Sequence, residues 1–221
     1  MTDEFDRKWV EILTRFTWIK AVYGLIGLTR LGERPTTVDR LAAVLERPEV
    51  ETIELAWEAS RVRPDEQGRL HLAAPFGGGG PSRRNVYVGG RQIPVSGCGP
   101  DLFPAAAVLD VPFRVEDSCS ATGAPIRIDF SPEGVQRVDP PGVVVAMVAP
   151  EVASEYGQAE IEQINLELCS QQPFFASPRA ARQWLADHPG GRLVPVREVT
   201  HMAFFTHIRD TWRPRILANM P

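Results

Sequence analysis

Four consecutive glycines at positions 77–80 divide this chain into two parts whose sequence patterns differ. Before the glycines, apolar residues recur every three or four positions, which is typical of amphipathic helices. After them, short apolar segments alternate with turns rich in glycine and proline, which is typical of a β-rich region. We therefore predict a helical domain over residues 1–75, a flexible glycine-rich linker over 76–85 and a β-rich domain with flanking helices over 86–221.

The helical part has the element order of a winged helix-turn-helix. Apolar spacing predicts one long amphipathic helix over residues 5–30. A capped helix over 36–45 and a further helix over 49–62 follow, and residues 65–72 predict a tight turn that leads into a strand. The predicted fold class is α+β, with a winged helix-turn-helix domain packed on a mixed or antiparallel β-rich domain.

A winged helix often binds DNA, but the charge of this one opposes that function. The helix that would enter the major groove carries four acids: Glu49, Glu51, Glu54 and Glu58. Carboxylates in a groove repel the phosphates that a DNA-binding protein must neutralise. The whole chain has a formal net charge of −4, so nucleic acid is not predicted as a partner. We interpret the winged helix as a structural or substrate-gating module.

The remaining bulk properties indicate a cytoplasmic protein. No apolar segment approaches the roughly 20 residues that span a bilayer, so no membrane partner is predicted. The acidic N-terminus does not resemble a signal peptide. Three cysteines, Cys98, Cys119 and Cys169, contain no C-x-x-C pair, which argues against a structural zinc ribbon and against a secreted disulfide framework.

One short stretch combines a thiol with a carboxylic acid, since Cys98 stands three residues before Asp101. In a first helical turn these side chains share a face, and the free amides of a helix start favour a thiolate. A neighbouring acid tends to keep its proton when it is partly desolvated. The pair suits a soft metal and the delivery of a proton. A buried cysteine that serves only as a small apolar side chain is the alternative interpretation.

Three segments of the chain resemble the organomercurial (alkylmercury) lyases. They are residues 97–103, residues 118–125 and residues 168–177, which contain the sequence Cys-Ser-Gln-Gln-Pro-Phe-Phe-Ala-Ser. The order and spacing of all three cysteines fit the family, and the resemblance extends over most of the chain. It implies that Cys98 and Cys169 are the active-site thiols, that Asp101 is the catalytic acid and that Cys119 is structural.

The resemblance also implies a reaction. One thiolate attacks the mercury of an alkyl- or arylmercury compound, and Asp101 passes a thiol proton to the carbon as the carbon–mercury bond breaks. Mercury is bound by Cys98, Cys169 and Asp101 as substrate and product, and no cofactor is expected. Cellular thiols or a mercuric reductase then remove the Hg(II). Two soft thiolates suit a soft, linear-coordinating metal, and proton delivery is general acid catalysis.

The chain departs from the family pattern at three places beside these residues. Gly97 replaces an aromatic residue, Gly99-Pro100 separates the thiol from the acid, and Ser170 stands where a second cysteine is common. The Gly99-Pro100 departure leaves open a thiol-based mercury-binding paralogue without lyase turnover. The winged helix leaves open a regulator that responds to metal through its thiols, although its acidic helix argues against this function.

Overall fold

The computed structural model describes residues 3–73, 84–95, 98–157 and 159–220. Within these ranges it has the predicted α+β class, with helices packed on antiparallel sheets. Residues 76–83 of the predicted linker lie outside the described residues, as does Gly97. The α-helices are α1 (Glu4–Arg15), α2 (Thr17–Thr29), α3 (Val38–Leu45), α4 (Glu49–Ser60), α5 (Leu102–Val108), α6 (Pro150–Glu155), α7 (Ile161–Gln163), α8 (Arg182–Asp187), α9 (Ala203–His207) and α10 (Arg213–Ala218).

The described strands pair antiparallel in three sheets. A two-stranded sheet joins β1 (Thr36–Thr37) to β2 (Arg69–Leu70). A five-stranded sheet has the order β4-β3-β5-β6-β7, and its strands are β3 (Arg84–Val88), β4 (Arg91–Val95), β5 (Phe113–Ser118), β6 (Pro125–Ser131) and β7 (Gly134–Asp139). A three-stranded sheet has the order β10-β8-β9, from β8 (Val144–Met147), β9 (Phe174–Phe175) and β10 (Arg192–Pro195).

The N-terminal helix is interrupted, so the prediction of one helix over residues 5–30 is wrong. Phe16 adopts an extended backbone (φ −101°, ψ 103°) between α1 and α2. Its ring lies against Gly157, where an added Cβ would come within 1.8 Å of a ring carbon. Because this contact joins residues far apart in the chain, the helical periodicity around Phe16 could not reveal the break.

The following helices agree closely with the sequence prediction. Helices α3 and α4 occupy the predicted segments, and β1 and β2 bring the two ends of this region together through the Thr36–Leu70 register. Helix α2 packs against both helices. At Gly24, an added Cβ would lie 3.0 Å from Leu41, so the glycine permits the close approach of α2 and α3.

Helix α5 lies at the centre of the protein and determines where the site is built. All seven of its residues are buried, and three of them are alanines, which allow neighbouring elements to approach closely. Phe103 packs edge-on against Phe130 of the large sheet at 5.6 Å and against Phe174 of the small sheet at 6.4 Å. The start of α5 is thereby held between the two sheets and helix α2, which it also contacts.

The C-terminal segment is irregular. A 3-10 helix over Val196–His201 precedes α9, and a π-helical segment over Ile208–Trp212 separates α9 from α10. Asp6 of α1 accepts the backbone N–H of Ala203 at 2.6 Å, which caps α9 from a distant element. Within the described residues, no helix has the length and apolar character needed to cross a membrane.

Candidate active site

The structure brings Cys98, Asp101 and Cys169 together. One ligand atom from each residue lies within 4.8 Å of the others, so the three could share one metal ion. The Cys98 sulfur lies 2.9 Å from Asp101 Oδ2, and the Cys169 sulfur lies 3.8 Å from the same oxygen. Cys98 is buried, whereas Asp101 and Cys169 are half-buried. One carboxylate oxygen therefore faces both thiols.

Cys98 precedes helix α5 rather than lying in its first turn. The helix begins at Leu102, and residues 99–101 form a turn before it. Asp101 reaches Cys98 because its side chain folds back, so that Oδ2 accepts the Cys98 backbone N–H at 2.7 Å as well as the thiol hydrogen bond. The predicted proximity of thiol and acid is present, but the predicted shared helical face is not its cause.

Gly99 is required by the packing of this turn. Its N–H donates to the backbone oxygen of Gln172 at 3.0 Å. A Cβ added at Gly99 would lie 2.8 Å from Val145 Cγ2 and 3.0 Å from that same oxygen. Gly99 therefore lets the Cys98 turn lie directly against strand β8 and the segment after Cys169.

Cys169 lies where a π-helical segment, Ile164–Leu168, passes into a 3-10 turn, Cys169–Gln171. Short π-helical segments are frequent at functional sites, where they change the direction of a side chain. The turn then leads to strand β9 through Pro173. Ser170 donates to the backbone oxygen of Glu167 at 3.0 Å, so its hydroxyl stabilises this turn.

Two uncharged donors that the sequence analysis did not identify complete the site. Gln172 is 2% exposed, and its Nε2 lies 3.5 Å from the Cys98 sulfur. The Tyr23 hydroxyl, from helix α2, donates to Asp101 Oδ1 at 3.2 Å. Neither residue belongs to a motif of its own. Tyr23 follows the apolar period of its helix, and Gln172 stands in a polar stretch, so both contacts depend on tertiary packing.

Burial raises the pKa of the Cys98 thiol well above its ordinary value of 9.0, and the Cys169 hydrogen bond and the negative charge of Asp101 raise it further. The sequence argument from a helix start favoured a thiolate, and that expectation is wrong for this residue. The Cys98 thiol holds its proton at neutral pH. A proton is therefore stored 2.9 Å from the carboxylate oxygen in the resting protein.

An apolar cavity of about 100 Å³ opens beside the three side chains. Helices α1 and α2 and the residue between them line one side with aromatic and aliphatic groups, including Trp9, Phe16 and Trp18. Ile164 and Leu168, from the segment that precedes Cys169, line the other side. The cavity can therefore hold an organic group next to a cation on the sulfurs.

Cys119 lies outside this cluster. It is 2% exposed and follows strand β5, where its N–H donates to Ala124 at 2.8 Å and its carbonyl oxygen accepts from Gly123 at 2.9 Å. These bonds close the turn between β5 and β6. Its structural role remains a prediction. The cavity, the two other thiols and the carboxyl define a protein that can bind a thiophilic cation and transfer a proton beside it.

Comparison with known proteins gives the family. The family model described as MerB, alkylmercury lyase, matches residues 80–205. The alkylmercury lyase of Streptomyces lividans is 30% identical over 168 residues, which cover 75% of this chain and 72% of the relative. That of Bacillus cereus is 29% identical over 170 residues, which cover 76% of this chain and 72% of the relative. This chain belongs to the alkylmercury lyase family.

A solved structure supports the same fold. The crystal structure of the mercury-bound form of MerB2 superposes with a TM-score of 0.57, and the match covers 96% of this chain and 98% of that one. The two sequences are 13% identical over the match. The arrangement of helices and sheets is therefore shared although few side chains are.

Proposed function

We propose that this protein is an organomercurial lyase that cleaves the carbon–mercury bond of alkyl- and arylmercury compounds by protonolysis. The products are the hydrocarbon and Hg(II), and the role is mercury detoxification. The observation that carries the proposal is the convergence of two thiols on one carboxylate oxygen beside an apolar cavity. Family membership supports the same activity.

Cys169 is the thiol that an incoming mercury compound meets first, because it is half-buried whereas Cys98 is only 4% exposed. For a substrate R–Hg–X, the Cys169 sulfur bonds to mercury, X leaves, and the thiol proton leaves with it. The organic group R then occupies the apolar cavity. Mercury bound to Cys169 lies beside Asp101 and within reach of the second sulfur, because all three groups cluster within 4.8 Å.

The second thiol supplies the proton that the carbon requires. Asp101 Oδ2 accepts the Cys98 proton and delivers it to the carbon bonded to mercury. The electron pair of the carbon–mercury bond takes up this proton, so R–H leaves and mercury remains on the Cys98 and Cys169 sulfurs. The overall change is R–Hg–X plus two thiols giving R–H, H–X and a mercury dithiolate. Mercury is substrate and product, and the protein needs no separate cofactor for these steps.

Release of Hg(II) requires other thiols, because two protein sulfurs hold a soft cation tightly. We propose that cellular thiols exchange onto the mercury and that a mercuric reductase receives it. The half-exposed position of Cys169 supports this route, because an external thiol can approach its sulfur from the cavity.

We also propose that β1, α3, α4 and β2 form a winged helix-turn-helix module with a structural role. Its link to the site supports this role. Arg61, at the end of α4, forms an ion pair with Glu162 at 2.7 Å and another with Glu160. These acids precede the segment that carries Cys169. Residues 1–75 and 86–221 thus remain our proposed domains, and the first stabilises the site of the second.

Incubation with phenylmercury and excess thiol tests the proposed activity. Wild type should release benzene and inorganic mercury in equal amounts, and Cys98→Ala should give only the background rate. Cys119→Ala is the matched control, because its thiol lies outside the cavity, and it should keep the activity. Equal release by wild type and Cys98→Ala would contradict a lyase. Stoichiometric mercury binding without benzene would indicate the mercury-binding paralogue instead.

A further inference from the structure

Tyr23 joins the N-terminal helices to the acid of the site. It lies in α2, before residues 80–205 that the family model matches. Its side chain is 4% exposed, and its ring lies 6.3 Å from that of Trp212. Its hydroxyl donates to Asp101 Oδ1 at 3.2 Å. Packing of α2 against α4 and α5 fixes the position from which this hydroxyl reaches the carboxylate.

The two oxygens of Asp101 have different partners. Oδ2 accepts the Cys98 backbone N–H and the Cys98 thiol, at 2.7 and 2.9 Å. Oδ1 accepts from Tyr23. A rotation that exchanged the oxygens would break the bonds at both ends of the carboxylate. Because hydrogen bonds to a charged group are stronger than those between neutral groups, this arrangement resists rotation.

We propose that Tyr23 is a positioning residue for proton transfer: it holds Asp101 Oδ1, so that Oδ2 is the oxygen that takes the thiol proton and delivers it to carbon. This inference rests on the proposed lyase function. The proton moves from the Cys98 sulfur to Oδ2 and then to the carbon as the carbon–mercury bond breaks. Tyr23 keeps its own proton and touches neither mercury nor carbon in this role.

The burial of Tyr23 suits it to this role. Its side chain is buried, and its hydroxyl already donates to Asp101 Oδ1 in the resting protein. A fixed donor costs no reorganisation when the carboxylate loses its proton to carbon, which is the general advantage of a preorganised site.

Single-turnover kinetics of Tyr23→Phe with phenylmercury separate positioning from binding. Mercury capture is monitored by the loss of the Cys169 thiol, and cleavage is monitored by the appearance of benzene. We expect capture at the wild-type rate and cleavage about tenfold slower, on the scale of one hydrogen bond to a charged group. Tyr87→Phe, which removes the same hydroxyl from a tyrosine of strand β3, is the control and should leave both rates unchanged.

A double-mutant cycle provides a second measurement that does not depend on Tyr23→Phe alone. In an Asp101→Ala background, Tyr23→Phe should not slow the residual cleavage further, because two groups that act as a unit are not additive. Unchanged cleavage in Tyr23→Phe, an equal fall in capture and cleavage, or additive effects in the cycle would each overturn the positioning role. In these cases wild-type turnover would leave the lyase proposal intact. Absence of benzene from wild type would overturn both proposals.

Discussion

Gln172 donates a hydrogen bond from Nε2 to the sulfur of Cys98 at 3.5 Å, while its Oε1 accepts the backbone N–H of Val148 at 3.4 Å. Val148, which directly follows strand β8, therefore orients the Gln172 amide so that its N–H₂ group points at the Cys98 sulfur. A donor in this position stabilises negative charge on sulfur as the thiol loses its proton. The site thus contains a polar group on each side of the thiol and acid pair.

Gln172→Leu should make the Cys98 thiol less reactive. Removal of the donor disfavours the thiolate, so we expect the alkylation of Cys98 by iodoacetamide at pH 8 to slow about tenfold, the scale of one lost hydrogen bond to a charged group. Peptide mass spectrometry distinguishes Cys98 from Cys169. Gln171→Leu is the matched control, because that amide donates to the backbone oxygen of Glu167 instead. An equal alkylation rate in wild type and Gln172→Leu would exclude this role.

The raised pKa of Cys98 predicts how stability depends on pH. The folded protein holds the thiol proton to a higher pH than the unfolded chain, whose thiol titrates near 9.0. The stabilising contribution is therefore complete below pH 9.0 and is lost as the pH rises towards the folded-state pKa. Urea unfolding between pH 7 and pH 10 should show a free energy of unfolding that falls more steeply in wild type than in Cys98→Ala. Parallel curves for the two proteins would contradict the raised pKa.

Gly99→Ala should disturb the turn that carries Cys98. Its Cβ would lie 2.8 Å from Val145 Cγ2 and 3.0 Å from the Gln172 backbone oxygen, and neither strand β8 nor the segment at Gln172 can move without cost. Overpacking of this kind costs about 1–3 kcal/mol, so both the midpoint of urea unfolding and the rate of benzene release should fall. Gly142→Ala is the control, since its nearest contact would be an ordinary 3.5 Å. A stable and fully active Gly99→Ala would show that the turn tolerates a side chain.

Several elements were predictable because local sequence determines them. Helix α3 follows from its apolar period, and β3 and β4 follow from short apolar segments joined by Gly89-Gly90. The spacing of Cys98 and Asp101 indicated a site, the family resemblance added Cys169, and the structure places all three together; their roles are proposals. The break at Phe16 was not predictable from helical periodicity, because the Phe16 ring packs against Gly157, on a distant segment.

Local sequence patterns also do not predict strand β7 or the two hydrogen-bond donors of the site. Strand β7 contains exposed Gln136 and Arg137, so it lacks the apolar alternation that identified other strands. Its register with β6 shifts at Asp129 and Phe130, which no periodicity in either segment indicates. Gln172 and Tyr23 reach the site only when β8, α2 and α5 are packed. In this protein, therefore, the reactive groups have a sequence signal, whereas the contacts that orient them depend on tertiary packing.

The cavity predicts a preference for compact organic groups. Its volume of about 100 Å³ is smaller than the engineered apolar cavity of roughly 150 Å³ that binds benzene in another protein. Leu168→Ala should enlarge the cavity and raise the ratio of kcat/KM for phenylmercury to that for methylmercury severalfold. Truncation of a buried leucine to alanine lowers the free energy of unfolding by about 2–5 kcal/mol, so the assay should be run at low temperature.

Leu166→Ala is the matched control for this change, because Leu166 lies in the same π-helical segment but is 66% exposed. It should leave both the phenylmercury to methylmercury ratio and the free energy of unfolding close to wild type. If the phenylmercury to methylmercury ratio rose equally in Leu166→Ala, the change would be due to loosening of the Cys169 segment and not to the size of the cavity. A ratio that stays constant in both variants would mean that the organic group binds outside the cavity formed by α1, α2 and Leu168.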